Sequence, residues 1–333
     1  MSEVIPYLGR ETDLPIFPIF ALNNLASGIT TLLPSIHLAS PQKSDPEVLV
    51  NQILNHGIQS CTLSPSLFIQ IGAYGKDLPS LERVVTGGAP IAKDHVALFK
   101  KIAPNAEILV LYGSTEVEPI AHIEAQEMLS HKEEREGVNV GKISNGLKVK
   151  FIQIVKGEIQ LREKGWAEWE VPSNQPGELI VSGSHVCEGY YNDETAFHKT
   201  KIRESDGTVW HRTGDVGVLD EAGYLWFMGR VHNTIVRKNR FLFPVQPENL
   251  LKTLPFVRQA AFLGLEDPDL GEKTCAVFSW TPDADREESI FERIEKLFEE
   301  NGIPLDEIRV VEEIPMDPRH HSKVEYGKLR SLL

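Results

Sequence analysis

Apolar residues follow two different spacings along residues 1–125 of the chain. Short apolar runs bounded by polar turns are typical of buried strands, and they occur at residues 60–63, 83–86 and 108–111. Segments with helical spacing of apolar residues separate them, at residues 49–54, 65–74 and 94–101. Strands that alternate with helices form parallel βαβ units, so residues 1–125 predict a partial, parallel α/β subdomain.

The segment before these units is rich in small and apolar residues. Residues 14–20 predict a strand, the residues from 21 onwards predict a buried helix interrupted at Gly28, and residues 30–33 predict a second strand. Phe17 and Phe20 fit packing in a core better than contact with a substrate.

Residues 126–230 change to the period of strands. Alternating or glycine-bounded runs predict strands at 149–154, at 177–183, and on both sides of a turn at 220–223. The turn of Gly189, Tyr190, Tyr191 and Asn192 is best explained by structural packing. This region is therefore predicted to be a small, β-rich subdomain.

Residues 231–333 mix both patterns. Strand-like runs occur at 254–264, 273–280 and 309–311, and an amphipathic helix is predicted at 285–301, capped by Asp285 with Glu288 three residues later. Residues 320–333 form a basic, loop-like tail, in which His320 and His321 lack a third metal ligand. These features predict a C-terminal α+β unit.

Composition excludes several classes of protein. The chain has 333 residues, 41% of them hydrophobic, and a net charge of −14, which argues against nucleic acid or an anionic membrane as the main partner. Its 3 cysteines are widely spaced and suggest neither a disulfide framework nor a zinc site. No apolar run approaches the ~18 residues of a membrane span, and we expect a cytoplasmic protein.

The stretch at residues 112–116, YGSTE, carries the clearest candidate chemistry. It follows a predicted buried strand, and it offers an aromatic ring for a base, a glycine for close approach, two hydroxyls for phosphate oxygens and a carboxylate for Mg²⁺. Gly87 and Gly88 end the preceding strand. Ligands of parallel sheets bind at the carboxyl ends of the strands, so the two motifs are predicted to meet on one rim.

Four more blocks surround this stretch in a fixed order: TGGAP at 86–90, HRTGD at 211–215, GYLWFMGR at 223–230 and HSKVE at 321–325. Together with YGSTE they resemble the adenylate-forming superfamily of acyl-CoA synthetases, peptide-synthetase adenylation domains and luciferases. The resemblance runs from about Phe17 to the C-terminus. It implies an α/β and α+β multidomain fold: a partial α/β core (1–125), a β-barrel-like subdomain (126–230) and a mobile C-terminal lid (231–333).

The resemblance also implies which residues act on ATP or AMP and Mg²⁺. Thr115 would donate to the α-phosphate, Glu116 would hold Mg²⁺, and Lys323 would reach the reacting oxygens. Asp215 and Arg230 would fix the ribose; an acid that binds ribose hydroxyls also occurs in dinucleotide folds. The remaining predicted nucleotide-binding residues are Gly87, Gly88, Ala89, Pro90, Tyr112, Gly113, Ser114 and Phe227.

Lys328 competes with Lys323 for the adenylation role, because it also lies in the basic tail and follows a glycine. The apolar positions Val324 and Leu329 match those that follow the family's lysine, and they favour Lys323.

Two departures from the family bear on function. The chain has no glycine-, serine- and threonine-rich phosphate loop, so we expect a natural or engineered fragment, or one half of a split enzyme whose missing N-terminal subdomain acts in trans. His232 occupies the hinge position where the family has an aspartate. The segments at 14–34, 211–235 and 317–333 look most like the β-lactone synthetases of long-chain olefin biosynthesis.

Two functions therefore remain open from the sequence. The first is part of an enzyme that activates a fatty or β-hydroxy acid as acyl-AMP, then passes it to CoA or an acyl carrier protein, or closes it to a β-lactone. The second is a non-catalytic remnant that binds a partner protein or weakly binds a nucleotide.

Overall fold

The computed structural model describes residues 4–5, 8–37, 43–131, 135–282, 284, 289–317 and 323–333. Strands within these residues form a 12-stranded sheet and a 5-stranded sheet. The strands of the large sheet are β1 (Thr12–Pro15), β2 (Thr30–Thr31), β3 (Ser60–Leu63), β4 (Arg83–Gly87), β5 (Glu107–Ser114), β6 (Val117–Glu124), β7 (Val138–Ile143), β8 (Lys148–Ile152), β9 (Gly177–Ser182), β10 (Lys201–Arg203), β11 (Val209–Leu219) and β12 (Tyr224–Arg230).

The small sheet contains β13 (Ile235–Arg237), β14 (Arg240–Leu242), β15 (Val257–Asp267), β16 (Gly271–Trp280) and β17 (Glu307–Val310). The helices are α1 (Pro18–Ser27), α2 (Pro46–His56), α3 (Pro65–Tyr74), α4 (Lys93–Ile102), α5 (Ala125–Ser130), α6 (Glu194–Thr200), α7 (Val245–Lys252), α8 (Ser289–Glu300) and α9 (Tyr326–Leu332).

The first part of the large sheet is parallel, as the sequence predicted. Strands β2, β1, β3, β4 and β5 follow one another in register, and α2, α3 and α4 connect them. The α3 helix begins where the Ser64 hydroxyl accepts a hydrogen bond from the Leu67 amide, and it ends at Gly75 in the left-handed conformation. Buried side chains of both helices and strands, including Phe68 stacked on Phe99, form the core.

The expected burial of the helix near the N-terminus is wrong. Of the predicted strand at residues 14–20, only residues 14 and 15 belong to β1; the chain enters α1 at Pro18, and Gly28 caps the end of that helix. One side of α1 is exposed and apolar: Ile19, Leu22 and Leu25 are 67%, 63% and 78% accessible. Phe17 and Phe20 are only half-buried. The apolar side chains that predicted burial are thus left largely uncovered by the other described residues.

A hairpin converts the sheet from parallel to antiparallel. Strand β5 continues past the predicted residues 108–111 to Ser114, and β6 returns beside it with Ser114 opposite Val117. From β6 onwards, β7, β12, β11, β9 and β8 extend the same sheet in antiparallel pairs. The β-rich unit is therefore continuous with the parallel strands, although it has hydrophobic clusters of its own.

The C-terminal unit is built on the small sheet. Helix α8 buries Ile290, Ile294 and Phe298 against β15 and β16, as its amphipathic pattern predicts. Asp285 and Glu288, the predicted cap, lie outside the described residues. The tail is not wholly a loop, since residues from Tyr326 onwards form α9. Phe243, which follows β14, packs in one cluster with Val216 and Trp226 of the large sheet, so the C-terminal unit is in contact with the large sheet.

Candidate functional site

At Gly87 and Gly113, two glycines predicted to lie at the site, the neighbouring backbone leaves no room for a side chain. Gly87 lies opposite Leu111 on the neighbouring parallel strand, and a Cβ atom on Gly87 would lie 2.5 Å from the Leu111 carbonyl oxygen. A Cβ atom on Gly113 would lie 2.7 Å from the Val117 carbonyl oxygen. The structure thus brings the ends of β4 and β5 side by side on one rim, as the sequence predicted, with Gly88 in the turn at a φ of +99°.

Tyr112, Asp215 and Arg230 form a connected polar group beside this rim. The Tyr112 hydroxyl donates to Oδ2 of Asp215 at 2.6 Å, and the Arg230 guanidinium lies 2.8 Å from Oδ1 of the same carboxylate. Phe227 lies beside Tyr112, with ring centroids 5.9 Å apart. Four residues from three separate strands, β5, β11 and β12, are therefore brought together.

A local irregularity of β11 places Asp215 at this point. The pairing of β11 with β9 changes register between Arg212 and Val216, and Gly214 within this interval adopts a φ of +68°. The Thr213 hydroxyl accepts from the Asp215 amide at 3.0 Å and donates to the Leu179 carbonyl at 2.7 Å. These bonds turn the Asp215 side chain towards Arg230, its pairing partner on β12.

Arg212 holds the same irregularity from the other side of the strand. It is buried and forms an ion pair with buried Glu178, with 2.6 Å between Arg212 Nη2 and Glu178 Oε2. The same nitrogen donates to the Val155 carbonyl at 3.0 Å. A buried arginine with its donors satisfied on both carboxylate and carbonyl oxygens fixes the strand in place.

Burial dominates the electrostatics of this group. It raises the pKa of the Asp215 carboxyl, and the charges of Arg230 and Lys323 and the hydrogen bond from Tyr112 oppose that rise. The pKa of the Tyr112 hydroxyl is raised well above its usual value, first by burial and then by the nearby Asp215 carboxylate. Tyr112 therefore stays protonated and donates its hydrogen to Asp215.

The tip of the β5–β6 hairpin presents Thr115 and Glu116. Thr115 is exposed, and Glu116 is half-buried. Burial raises the pKa of the Glu116 carboxyl, but hydrogen bonds from its own backbone amide, from Ser114 and from Tyr190 outweigh it, and the net pKa is lowered. Glu116 is thus held in its charged form.

Tyr190, interpreted from the sequence as a packing residue, also makes a polar contact that was not predicted: its hydroxyl donates to Oε1 of Glu116 at 3.1 Å. Sequence reasoning missed this contact, since the two residues are 74 positions apart. The one available signal was the aromatic turn itself, which is too common to indicate a particular partner.

Lys323 lies on the C-terminal unit. Its charge is among those that oppose the rise in the pKa of the Asp215 carboxyl that burial causes. Its backbone amide donates to Oδ1 of Asp317 at 2.9 Å, just before α9 begins. Lys328 instead lies on α9, where it forms an ion pair with Glu325 at 2.5 Å. His320 and His321 lie outside the described residues.

Comparison with known proteins identifies the family of this chain. The model of the AMP-binding enzyme family matches residues 14–191, more than half of the chain. The chain belongs to the AMP-binding enzyme family. The olefin β-lactone synthetase of Xanthomonas campestris is 32% identical over 268 residues, which cover 77% of this chain and 47% of that protein. The 4-coumarate–CoA ligase-like 4 of Oryza sativa is 29% identical over 78% of this chain and 44% of that protein.

Solved structures of the family have the same fold. Amide bond synthetase McbA from Marinactinospora thermotolerans matches with a TM-score of 0.75 and 25% identity, over 97% of this chain and 61% of that chain. The O-succinylbenzoate coenzyme A synthetase of Bacillus subtilis, in complex with AMP, matches with a TM-score of 0.76 over 99% of this chain and 62% of that one, at 18% identity. This chain spans about half the length of the curated relatives that it matches.

The donor set fits a nucleotide-bound metal better than a metal held by protein alone. Among the described residues, no group of three or more histidine, cysteine, aspartate or glutamate side chains could hold a metal ion. Mg²⁺ commonly binds one or two carboxylates and completes its shell with phosphate oxygens and water. Glu116, charged and half-buried at the rim, suits that role.

No helix in the described part of the chain is long and apolar enough to cross a membrane.

Proposed function

We propose that this chain provides the adenine, ribose and metal contacts of an enzyme that activates a carboxylic acid with ATP. In the reaction, a carboxylate oxygen attacks the α-phosphorus, the bond to pyrophosphate breaks, and an acyl-adenylate forms. The observation that carries the proposal is the connected group of Tyr112, Asp215 and Arg230. In this proposal these three residues bind AMP, and Lys323, whose charge acts on Asp215, acts on the phosphate.

Each residue has a separate task in this proposal. The Asp215 carboxylate accepts both ribose hydroxyls, and Arg230 supports it and faces the sugar and phosphate oxygens. The Gly87–Pro90 turn and Tyr112 border the adenine, with Phe227 packed behind Tyr112. Thr115, exposed at the hairpin tip, donates to the α-phosphate, and Glu116 holds Mg²⁺, which would neutralise phosphate charge.

A long-chain acid, with or without a β-hydroxyl, is the substrate we propose. This rests on relatives that are 32% identical over about three quarters of the chain and are β-lactone synthetases of olefin metabolism. In that case the β-hydroxyl oxygen attacks the activated carbonyl and AMP leaves. CoA or a carrier thiol is the alternative acceptor, since acyl-CoA ligases also match this chain.

The remainder of the adenylate-forming fold packs on the exposed face of α1 in this proposal. The relatives are about twice as long as the region that matches. Ile19, Leu22 and Leu25 expose an apolar surface, although the sequence of α1 is that of a buried helix. A covering subdomain, in the same polypeptide or in trans, would supply the phosphate loop. We further propose that the C-terminal unit, residues 231–333, moves as a lid about the segment after Arg230.

Carboxylate-dependent exchange between ATP and labelled pyrophosphate tests the proposal. We would measure it with β-hydroxy and plain long-chain acids, for this chain alone and mixed with a polypeptide that supplies the remaining fold. We expect AMP binding but very weak exchange by the chain alone, and exchange restored by the mixture. AMP binding without exchange in any combination would instead favour a non-catalytic nucleotide-binding module. Absence of AMP binding would refute the proposal.

A further inference from the structure

The carboxylate of Glu116 is held by a segment that lies far from it in sequence. Glu116 lies in the two-residue turn between Ser114 and Val117, where a side chain has several open directions. Its backbone carbonyl accepts a hydrogen bond from the Cys187 amide at 2.7 Å. Its carboxylate accepts one from the Tyr190 hydroxyl at 3.1 Å. Both partners belong to the loop between β9 and α6, so main chain and side chain are tied to the same loop.

The loop is itself held in place from the opposite side. The Thr200 hydroxyl lies 3.2 Å from the Tyr190 oxygen and 2.7 Å from the Ala196 carbonyl. The buried Lys201 ammonium donates to the Cys187 carbonyl, and it lies over the Tyr190 ring, 5.2 Å from the centroid. Lys201 begins β10 and pairs with His211 of β11. The loop is thus attached to the strand that carries Asp215.

This arrangement is more than packing of an aromatic ring. A phenol that donates to a carboxylate gives it one preferred orientation, and a hydrogen bond to a charged acceptor is about twice as strong as a neutral one. The neighbouring Tyr191 is 94% exposed and has no such contact in the described residues. Of these two tyrosines, only Tyr190 is directed at the hairpin tip.

We infer that Tyr190 is a positioning residue for the metal-nucleotide complex: its hydroxyl orients the Glu116 carboxylate towards the ion that accompanies the ATP phosphates. Lys201 and Thr200 position Tyr190 in turn. The inference rests on the proposed function, because it assumes that Glu116 holds Mg²⁺. It adds a residue that acts on the metal only through Glu116 and touches neither nucleotide nor substrate.

Calorimetry of nucleotide binding by the full chain tests the inference without relying on turnover. ATP affinity would be measured over a series of Mg²⁺ concentrations, and AMP affinity without Mg²⁺. Removal of a group that orients a metal ligand commonly weakens metal binding by about tenfold or more, so Tyr190→Phe should raise the half-saturating Mg²⁺ concentration by about that factor. AMP affinity should stay unchanged. Tyr191→Phe is the matched control and should change neither quantity.

Two further variants separate the possible results. Glu116→Gln should lose the Mg²⁺ dependence of ATP binding, and Tyr190→Phe added to Glu116→Gln should have no further effect. If Glu116→Gln keeps the Mg²⁺ dependence, the metal role in the proposed function fails, and this inference fails with it. A different result refutes only the positioning role: Glu116→Gln loses the Mg²⁺ dependence, but Tyr190→Phe leaves the half-saturating Mg²⁺ concentration unchanged. The positioning role is also refuted if Tyr190→Phe weakens AMP binding as much as it weakens the Mg²⁺-dependent binding of ATP.

Discussion

The Tyr112 hydroxyl donates a hydrogen bond to Oδ2 of Asp215 at 2.6 Å, across 103 residues of sequence. Tyr112 belongs to the last strand of the parallel part of the sheet, and Asp215 belongs to the antiparallel part. The bond therefore connects two units that the sequence presents as separate. Because these side chains hold each other without a nucleotide, the proposed contact of Asp215 with the ribose would need little further ordering.

Replacement of Asp215 tests that contact. We expect Asp215→Ala to weaken AMP binding by roughly 1–3 kcal/mol, the range for loss of hydrogen bonds to a charged acceptor. Titration calorimetry measures it, and circular dichroism checks that the variant is folded. Asp206→Ala, in an exposed turn, is the control and should bind AMP normally. Unchanged affinity in folded Asp215→Ala would exclude the ribose role.

Substitutions on the exposed face of α1 should affect association with a second polypeptide but not the stability of the chain itself. Leu22→Gln together with Leu25→Gln should change the free energy of unfolding by less than about 0.5 kcal/mol per site, because both side chains are already in water. Association with a polypeptide that supplies the rest of the fold should weaken at least about tenfold, since roughly 1.5–3 kcal/mol accompanies full burial of each leucine.

The control for this pair is Leu332→Gln, because Leu332 is 63% exposed, as Leu22 is, but lies on the C-terminal helix. Sedimentation velocity of the mixtures measures the association. If the α1 variants associate as well as the unsubstituted chain, the face that receives the remaining fold lies elsewhere.

The sequence predicted helices and strands well where their caps and packing partners lie in the same subdomain. Strand β3 and helix α3 were predicted with the bounds they have, because Ser64 and Gly75 cap α3 and its apolar side packs within the same subdomain. The burial of α1 was predicted wrongly for a physical reason. Leu22 and Leu25 are apolar like residues of a buried surface, but composition does not say which segment would pack against them.

The site was predictable as a set of residues and less so as a set of contacts. Motif order indicated Tyr112 and Asp215, and the rim of parallel strands indicated why Gly87 lies near Tyr112. The sequence pattern does not predict the return strand β6, because the polar residues Thr115 and Glu116 resemble the end of a strand as much as a hairpin turn. The contact of Tyr190 with Glu116 depends on tertiary folding of a loop, which no periodicity encodes.

His211 should make the stability of the protein sensitive to acid. Burial, and then the charge of Lys201, lowers the pKa of His211 from 6.5 to about 4. Between pH 6.5 and pH 4, His211 is therefore protonated in the unfolded chain but neutral in the folded chain. The free energy of unfolding consequently falls as the pH falls. From the one-site linkage relation, this group removes about 2 kcal/mol between pH 7 and pH 4.5.

Urea unfolding at these two pH values measures the effect. His211→Gln should lose about 2 kcal/mol less than the unsubstituted protein over that interval, because glutamine does not titrate. His198→Gln, on the exposed side of α6, should behave like the unsubstituted protein. Equal acid losses in His211→Gln and the unsubstituted chain would show that His211 is not the source.

Lys323 is the residue whose role depends most on the arrangement of the two sheets. Its charge acts on the Asp215 carboxyl although Lys323 belongs to the C-terminal unit. A lysine is a compact charge on a long stem, suited to oxygens whose negative charge grows in the transition state. In the completed enzyme, Lys323→Ala should slow acyl-adenylate formation by about 10²–10³-fold, the range for loss of one such group.

Nucleotide affinity should change little in Lys323→Ala, because in the proposed function the lysine acts on the reacting oxygens, whereas the ribose is held by the paired Asp215 and Arg230. Lys328→Ala is the matched control: Lys328 lies five residues later in the same tail, but it is paired with Glu325 on α9 and should be dispensable. Single-turnover formation of acyl-adenylate measures both variants. If Lys323→Ala keeps full activity and Lys328→Ala abolishes it, the adenylation lysine is Lys328, and the lid must close with α9 rotated towards Asp215.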